Sequence, residues 1–148
     1  PVLALDLGLR RVGIAVSDSL KVSITRLSPL KRTNWKQLLQ DVTDLIRRFD
    51  AKTLVIGLPL SLDGATGPAA IETERTAEKF ARSLDLPVYL QDVRLTSIEA
   101  TERLHAAGHT RVEIEGLVDS EAAAIILADF IPGGQQRLLV PRPLVRER

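Results

Sequence analysis

The sequence predicts an α/β fold, a mixed five-stranded sheet with helices on both faces, on three observations. Two apolar runs of strand length, residues 2–8 and 12–17, are joined by a short link that favours an antiparallel hairpin. From residue 34 onward, stretches of helical periodicity alternate with short apolar runs. Residues 53–58, Thr-Leu-Val-Ile-Gly-Leu, carry apolar side chains on both faces, which marks a strand buried at the centre of a sheet. An opening meander followed by strand–helix alternation gives a mixed sheet with helices on either side.

The elements follow in order. Residues 2–8 form the first strand, interrupted by Asp6 and closed by Gly8, and residues 12–17 form the second. Residues 22–28 make a third, ended by Pro29. Asn34 caps a helix whose inward stripe is Leu38, Leu39, Val42, Leu45, Ile46 and Phe49. After the central strand, Pro59 to Pro68, with Asp63-Gly64 and Gly67, reads as a loop. A second helix covers about 69–84, with Thr73, Ala77, Phe80, Ala81 and Leu84 on one stripe. Pro87 to Leu90 is a short strand. A helix from about Ser97 to Ala107 is stopped by Gly108, and a last helix runs from about Val118 to Phe130 with Ala122, Ile125, Ile126 and Phe130 inward. Pro132-Gly133-Gly134 ends it, so residues 1–131 are expected to form one domain and 132–148 a mobile basic tail.

A chain of 148 residues with 45% apolar side chains is long enough to bury a core without staples. It has no cysteine, which excludes a disulfide framework and thiolate metal sites. No apolar run is of bilayer length and no basic-then-apolar secretory segment is visible, so a cytoplasmic setting without membrane contact is expected. The net charge is only +1, but it is unevenly spread. Arg10, Arg11, Lys21, Arg26, Lys31, Arg32 and Lys36 face only Asp6 and Asp18 within residues 1–36, and the tail holds four arginines against Glu147. Basic ends around an acidic centre suit a protein that holds a polyanion beside a carboxylate site, although a solvated surface has the same composition.

Asp6 is the sharpest chemical signal. A carboxylate inside an apolar strand is costly to bury unless it is paired or binds a metal, and Gly8 beside it permits close approach of a ligand or of backbone. An Asp-x-Gly opening also suits phosphotransferases of the actin-like kind, but this chain is too short for their two lobes. Asp119 precedes a very apolar helix, where Asp is also a common first-turn residue. It gains meaning when paired with Asp6, because hard divalent cations take oxygen ligands, often one or two carboxylates. Asp92 lies where a strand meets the loop before a helix, the edge at which open α/β sheets place ligands. Arg94 is a phosphate-binding candidate, while Thr96 and Ser97 read as helix caps. His105 and His109 are four apart, but Gly108 breaks the helix between them and no third zinc ligand is near. Few aromatics leave a base-stacking platform unsupported.

Four segments together carry a resemblance. Asp6-Leu-Gly-Leu-Arg10-Arg-Val-Gly-Ile-Ala-Val-Ser-Asp18, then Gly57-Leu-Pro, then Asp92-Val-Arg-Leu-Thr-Ser, then Val118-Asp-Ser-Glu-Ala-Ala-Ala-Ile-Ile-Leu127 resemble the YqgF/RuvX family in the family's order and over most of the chain. The resemblance implies a bacterial cytoplasmic protein with a ribonuclease H-like fold, acting as a Holliday junction resolvase or as a nuclease that matures the 5′ end of pre-16S rRNA. It further implies that Asp6 and Asp119 are catalytic carboxylates binding Mg²⁺ or Mn²⁺. In its third motif the family reads Asp-Glu-Arg, whereas this chain reads Asp92-Val93-Arg94. Val93 cannot bind a metal, so Asp92 is the expected third carboxylate, with Glu121 and Asp63 as other substitutes.

The resulting expectation is a metal-dependent phosphodiester hydrolase. Asp6, Asp92 and Asp119 hold one or two cations, while Arg10, Arg11 and Arg94 neutralise substrate phosphates. The competing expectation is a nucleic-acid-binding module whose site decayed at Val93. Precursor rRNA and branched DNA both remain open as partners, and action on a two-fold junction would call for a homodimer.

Overall fold

The structure is a computed structural model, and it describes residues 1–18, 20, 23–59, 67–92, 121–128, 130 and 137–140. Its strands are β1 (Val2–Leu7), β2 (Arg11–Ser17), β3 (Ile24–Lys31), β4 (Thr53–Leu58), β5 (Val88–Asp92) and β6 (Arg137–Leu139). Its helices are α1 (Trp35–Phe49), α2 (Pro68–Ser83) and α3, residues 121–128. The six strands form one sheet in the order β3-β2-β1-β4-β5-β6. β1 pairs antiparallel with β2 and parallel with β4, and β4 pairs parallel with β5. The run β3-β2-β1-β4-β5 with β2 reversed is the ribonuclease H-like arrangement.

Strand alternation divides the sheet into two apolar faces. Leu3 and Leu5 of β1, Val12 and Ile14 of β2, Leu54 and Ile56 of β4, and Val88 and Leu90 of β5 are buried together under α1 and α2. Val2, Ala4, Ala15 and Val55 are buried on the other face under α3. α1 forms because its apolar stripe recurs at helical spacing and Asn34 caps it, accepting a hydrogen bond of 2.8 Å from the Gln37 amide. α2 starts at Pro68, whose missing N–H costs nothing at that position. Phe80 of α2 is fully buried and meets the Trp35 ring edge-on at 4.8 Å between centroids.

The α3 face is built from small side chains. Arg26, Ala15, Ala4, Val55 and Tyr89 stand level with one another across β3, β2, β1, β4 and β5. Ala123 and Ala124 of α3 pack on this row, Tyr89 meets Phe130 at 5.1 Å, and Arg26 meets Glu121. Alanine against alanine lets the helix lie close to the sheet, and the helix therefore crosses from the β3 side to the β5 side.

Three expectations are corrected. β3 continues through Pro29 to Lys31, because β3 is an edge strand and Pro29 falls where the register to β2 shifts between Val12 and Ile14. A proline is tolerated at such a bulge, where the ladder is already interrupted. The sheet has a sixth strand: Arg137–Leu139 pairs antiparallel with β5. Val140 donates to the Val88 carbonyl at 2.7 Å and is buried in the α1/α2 core, so residues 137–140 of the expected mobile tail are part of the fold. β5 also extends beyond Leu90 to Asp92. The helix expected over 97–107 and residues 141–148 lie outside the described residues.

Candidate active site

Asp6 stands on β1 one residue before the strand ends, half-buried, on the face that carries α3. Its neighbour on β2 is Gly13. On β4 the register one step beyond Leu5–Ile56 brings Gly57 level with it. The carboxylate is thus flanked on both sides by residues without side chains, at the carboxyl ends of the parallel strands. Gly57 is level with Gln91 on β5, so the row reads Gly13, Asp6, Gly57, Gln91.

The turn that follows is tightly tied. The Gly8 amide donates to the Arg11 carbonyl at 2.9 Å, and a Cβ on Gly8 would stand 2.7 Å from that oxygen. The glycine of the Asp-x-Gly motif is therefore required by close approach of backbone. Arg32 holds the same turn from β3, its Nη1 donating to the Gly8 carbonyl at 2.8 Å and its amide to the Arg10 carbonyl at 2.8 Å.

Arg10 and Arg11 are exposed at this edge. Arg11 lies two residues from Gly13 on β2, diagonal to Asp6 and on the same face, and it pairs across the ladder with Lys31. Both are exposed cations at the edge of the sheet that carries Asp6. The charge count flagged Lys31 and Arg32 without assigning them a role, and only the β2–β3 register brings them to the site.

Asp92 ends β5 at the same edge of the sheet, half-buried and level with Leu58. Alternation puts it on the side of Val88 and Leu90, whereas Asp6 shares its side with Tyr89 and Gln91. The two carboxylates share an edge but not a face. Glu121 is buried at 5% exposure, and its carboxylate is gripped by Arg26, through Nε to Oε1 and through Nη2 to Oε2 at 3.3 Å. The ion pair gives it a structural task. Asp119, Arg94, Val93 and Asp63 lie outside the described residues, and no cluster of three His, Cys, Asp or Glu stands among the described residues.

The sequence pattern of the RuvX family, described as Holliday junction resolvase, matches residues 1–132. The chain belongs to the RuvX family. It is 40% identical over 129 residues to a protein of Gloeothece citriformis named "Putative pre-16S rRNA nuclease", covering 87% of this chain and 85% of the relative. A protein of the same name from Anaeromyxobacter is 37% identical over 131 residues, covering 88% and 96%. Among solved structures, RuvC of Thermus thermophilus aligns with a TM-score of 0.49 at 15% identity over 93% of this chain and 99% of that one. A Fowlpox virus resolvase in complex with Holliday junction DNA aligns with a TM-score of 0.48 at 10% identity over 88% and 98%. As a RuvX member the chain is a nucleic-acid-hydrolysing enzyme. Among its described residues no helix is long and apolar enough to cross a membrane.

Proposed function

We propose that this RuvX chain is a divalent-metal-dependent nuclease that processes the 5′ end of pre-16S rRNA, with Asp6 and Asp119 as its metal-binding carboxylates. The observation that carries the reading is the placement of Asp6 between Gly13 and Gly57, at the carboxyl edge of the sheet and on the face of α3. Asp119 precedes the first described residue of α3 by two positions, which supports its approach to the same face. The donors are oxygens and the chain has no cysteine, a set suited to Mg²⁺ or Mn²⁺. Such a cation, when bound, would lower the pKa of an attacking water and offset charge on the leaving oxygen.

The chain's own residues do the rest. Asp6 anchors the centre on a rigid strand, and the two glycines leave room for a phosphodiester. Arg11 and Lys31, with Arg10 at the turn, hold the flanking phosphates and orient the scissile bond, and Arg94 is the further phosphate candidate. Asp92 stands at the rim of the same edge, where it can accept hydrogen bonds from water or substrate. The pre-16S rRNA substrate is supported by the names of relatives at 37–40% identity. The family description favours a second reading, a homodimeric resolvase of four-way DNA junctions.

The test is cleavage of a pre-16S rRNA 5′ leader and of a four-way DNA junction side by side, at low salt with Mg²⁺ or Mn²⁺. Cleavage of the RNA that is abolished in both Asp6→Asn and Asp119→Asn is expected. Junction cleavage alone would favour the second reading, and turnover surviving both substitutions would overturn the site.

A further inference from the structure

We propose that the side-chain amide of Gln91 faces the same metal centre and supplies a neutral oxygen to the cation or to a water bound on it. This rests on the reading of Asp6 as a metal ligand and adds a residue to it.

Gln91 is 1% exposed, and its Oε1 is buried with no hydrogen-bond partner. An orphaned buried acceptor of this kind lowers the stability of the fold. On stability alone, leucine would serve better at that position, since it would continue the apolar pattern of β5 without the penalty. The orphan therefore points to a partner that folding by itself does not supply.

The register says where that partner sits. Gln91 is level with Gly57 on β4, and Gly57 is level with Asp6 on β1. Tyr89, two residues before Gln91, packs on the α3 face, so alternation directs Gln91 to the face that carries Asp6. The two residues are separated by two strand spacings, about 10 Å between Cα atoms. The residue between them is glycine, so the space above it is filled by no side chain of β4. An aspartate and a glutamine reach in from opposite sides of that glycine, and a cation bound between them would take ligand oxygens at about 2.1 Å.

The chemistry fits as well. Amide oxygens are ordinary ligands of hard cations and accept hydrogen bonds from metal-bound water. Asp92 is directed to the opposite face and Val93 has no donor, whereas Gln91, the residue level with Gly57, shares a face with Asp6 and brings an amide oxygen. A neutral donor in place of a carboxylate also leaves less negative charge at the centre, which lowers cation affinity.

The experiment is calorimetric titration of the full chain with Mn²⁺, without nucleic acid, together with melting temperatures in EDTA and in Mn²⁺. Wild type, Asp6→Asn, Gln91→Leu and Gln91→Glu are compared. Gln91→Leu is expected to weaken Mn²⁺ binding about 10- to 100-fold, while its melting temperature in EDTA equals or exceeds that of wild type, since an orphaned acceptor is replaced by an apolar side chain of similar size. Gln91→Glu is expected to melt lower in EDTA and to gain more from Mn²⁺ than wild type does. A Gln91→Leu protein that binds Mn²⁺ like wild type, while Asp6→Asn binds weakly, overturns the role of Gln91 alone. A Gln91→Leu protein that melts lower in EDTA assigns Gln91 to the core and also overturns it. Absence of Mn²⁺ binding by wild type, or undiminished binding by Asp6→Asn, overturns the metal-centre reading beneath it.

Discussion

Replacing Arg26 by methionine removes the charge that meets Glu121 while keeping much of the side chain's apolar length. Glu121 is left with its side chain 7% exposed, whereas the Arg26 side chain is 52% exposed. The pair thus lies between two regimes. Exposed ion pairs contribute about 0.2–1 kcal/mol, and breaking a buried pair by removing one partner costs about 3–5 kcal/mol. With the carboxylate buried and the guanidinium half in water, the cost of Arg26→Met is about 2 kcal/mol, mostly from the lost charge-assisted hydrogen bonds to the buried Glu121 carboxylate. For a chain of this length that is a fall of about 4–8 °C in melting temperature. The assay is urea unfolding followed by far-ultraviolet circular dichroism on wild type, Arg26→Met, Glu121→Gln and the double variant. A coupling energy of about 1–2 kcal/mol is expected, because the second substitution removes the charge that Arg26 offsets. A coupling below about 0.5 kcal/mol would refute the reasoning, since it would mean that Glu121 finds water or another cation once Arg26 is gone. The pair also ties α3 to the edge strand β3.

Three further outcomes are expected. In single-turnover cleavage assays, Asp6→Asn lowers the rate at least about 100-fold, the scale set by removing one preorganised charge, while Asp92→Asn lowers it about tenfold or less, because its side chain lies on the other face; equal falls would place both carboxylates on one cation. Asn34→Ala removes the cap of α1 and costs about 1 kcal/mol, read as a fall of about 2–4 °C in melting temperature with cleavage unchanged. Arg11→Gln and Lys31→Gln each weaken nucleic-acid binding and reduce the slope of log affinity against log salt by about 0.7–0.9 for each phosphate that is no longer neutralised, measured by fluorescence anisotropy at several salt concentrations.

Much of the fold was legible along the chain because it depends on local pattern. The two-sided apolar run at Thr53–Leu58, the stripe and cap of α1, and the short link at Gly8 each follow from side-chain period, capping chemistry and turn length. Asp6 was legible for a similar reason: a carboxylate inside an apolar strand stands out in one dimension. Pro29 and the sixth strand were not, because a proline's tolerance depends on whether its strand is an edge, and a three-residue strand is stabilised by its neighbour β5. The motif segments led to Asp92 as the third carboxylate, yet which face a residue occupies at a strand's end is decided by the register of β5 against β4.

The sequence by itself determined five of the six strands, the helices α1, α2 and α3, the carboxylate at Asp6 and the family, since periodicity, turn chemistry and motif order are properties of neighbours along the chain. Tertiary structure alone decided that Gly13, Asp6, Gly57 and Gln91 form one row, that Arg11 faces Lys31, and that Glu121 belongs to Arg26. Those relations join residues far apart in the chain, and the physical reason is strand register: a shift of one residue would send each of these side chains to the opposite face.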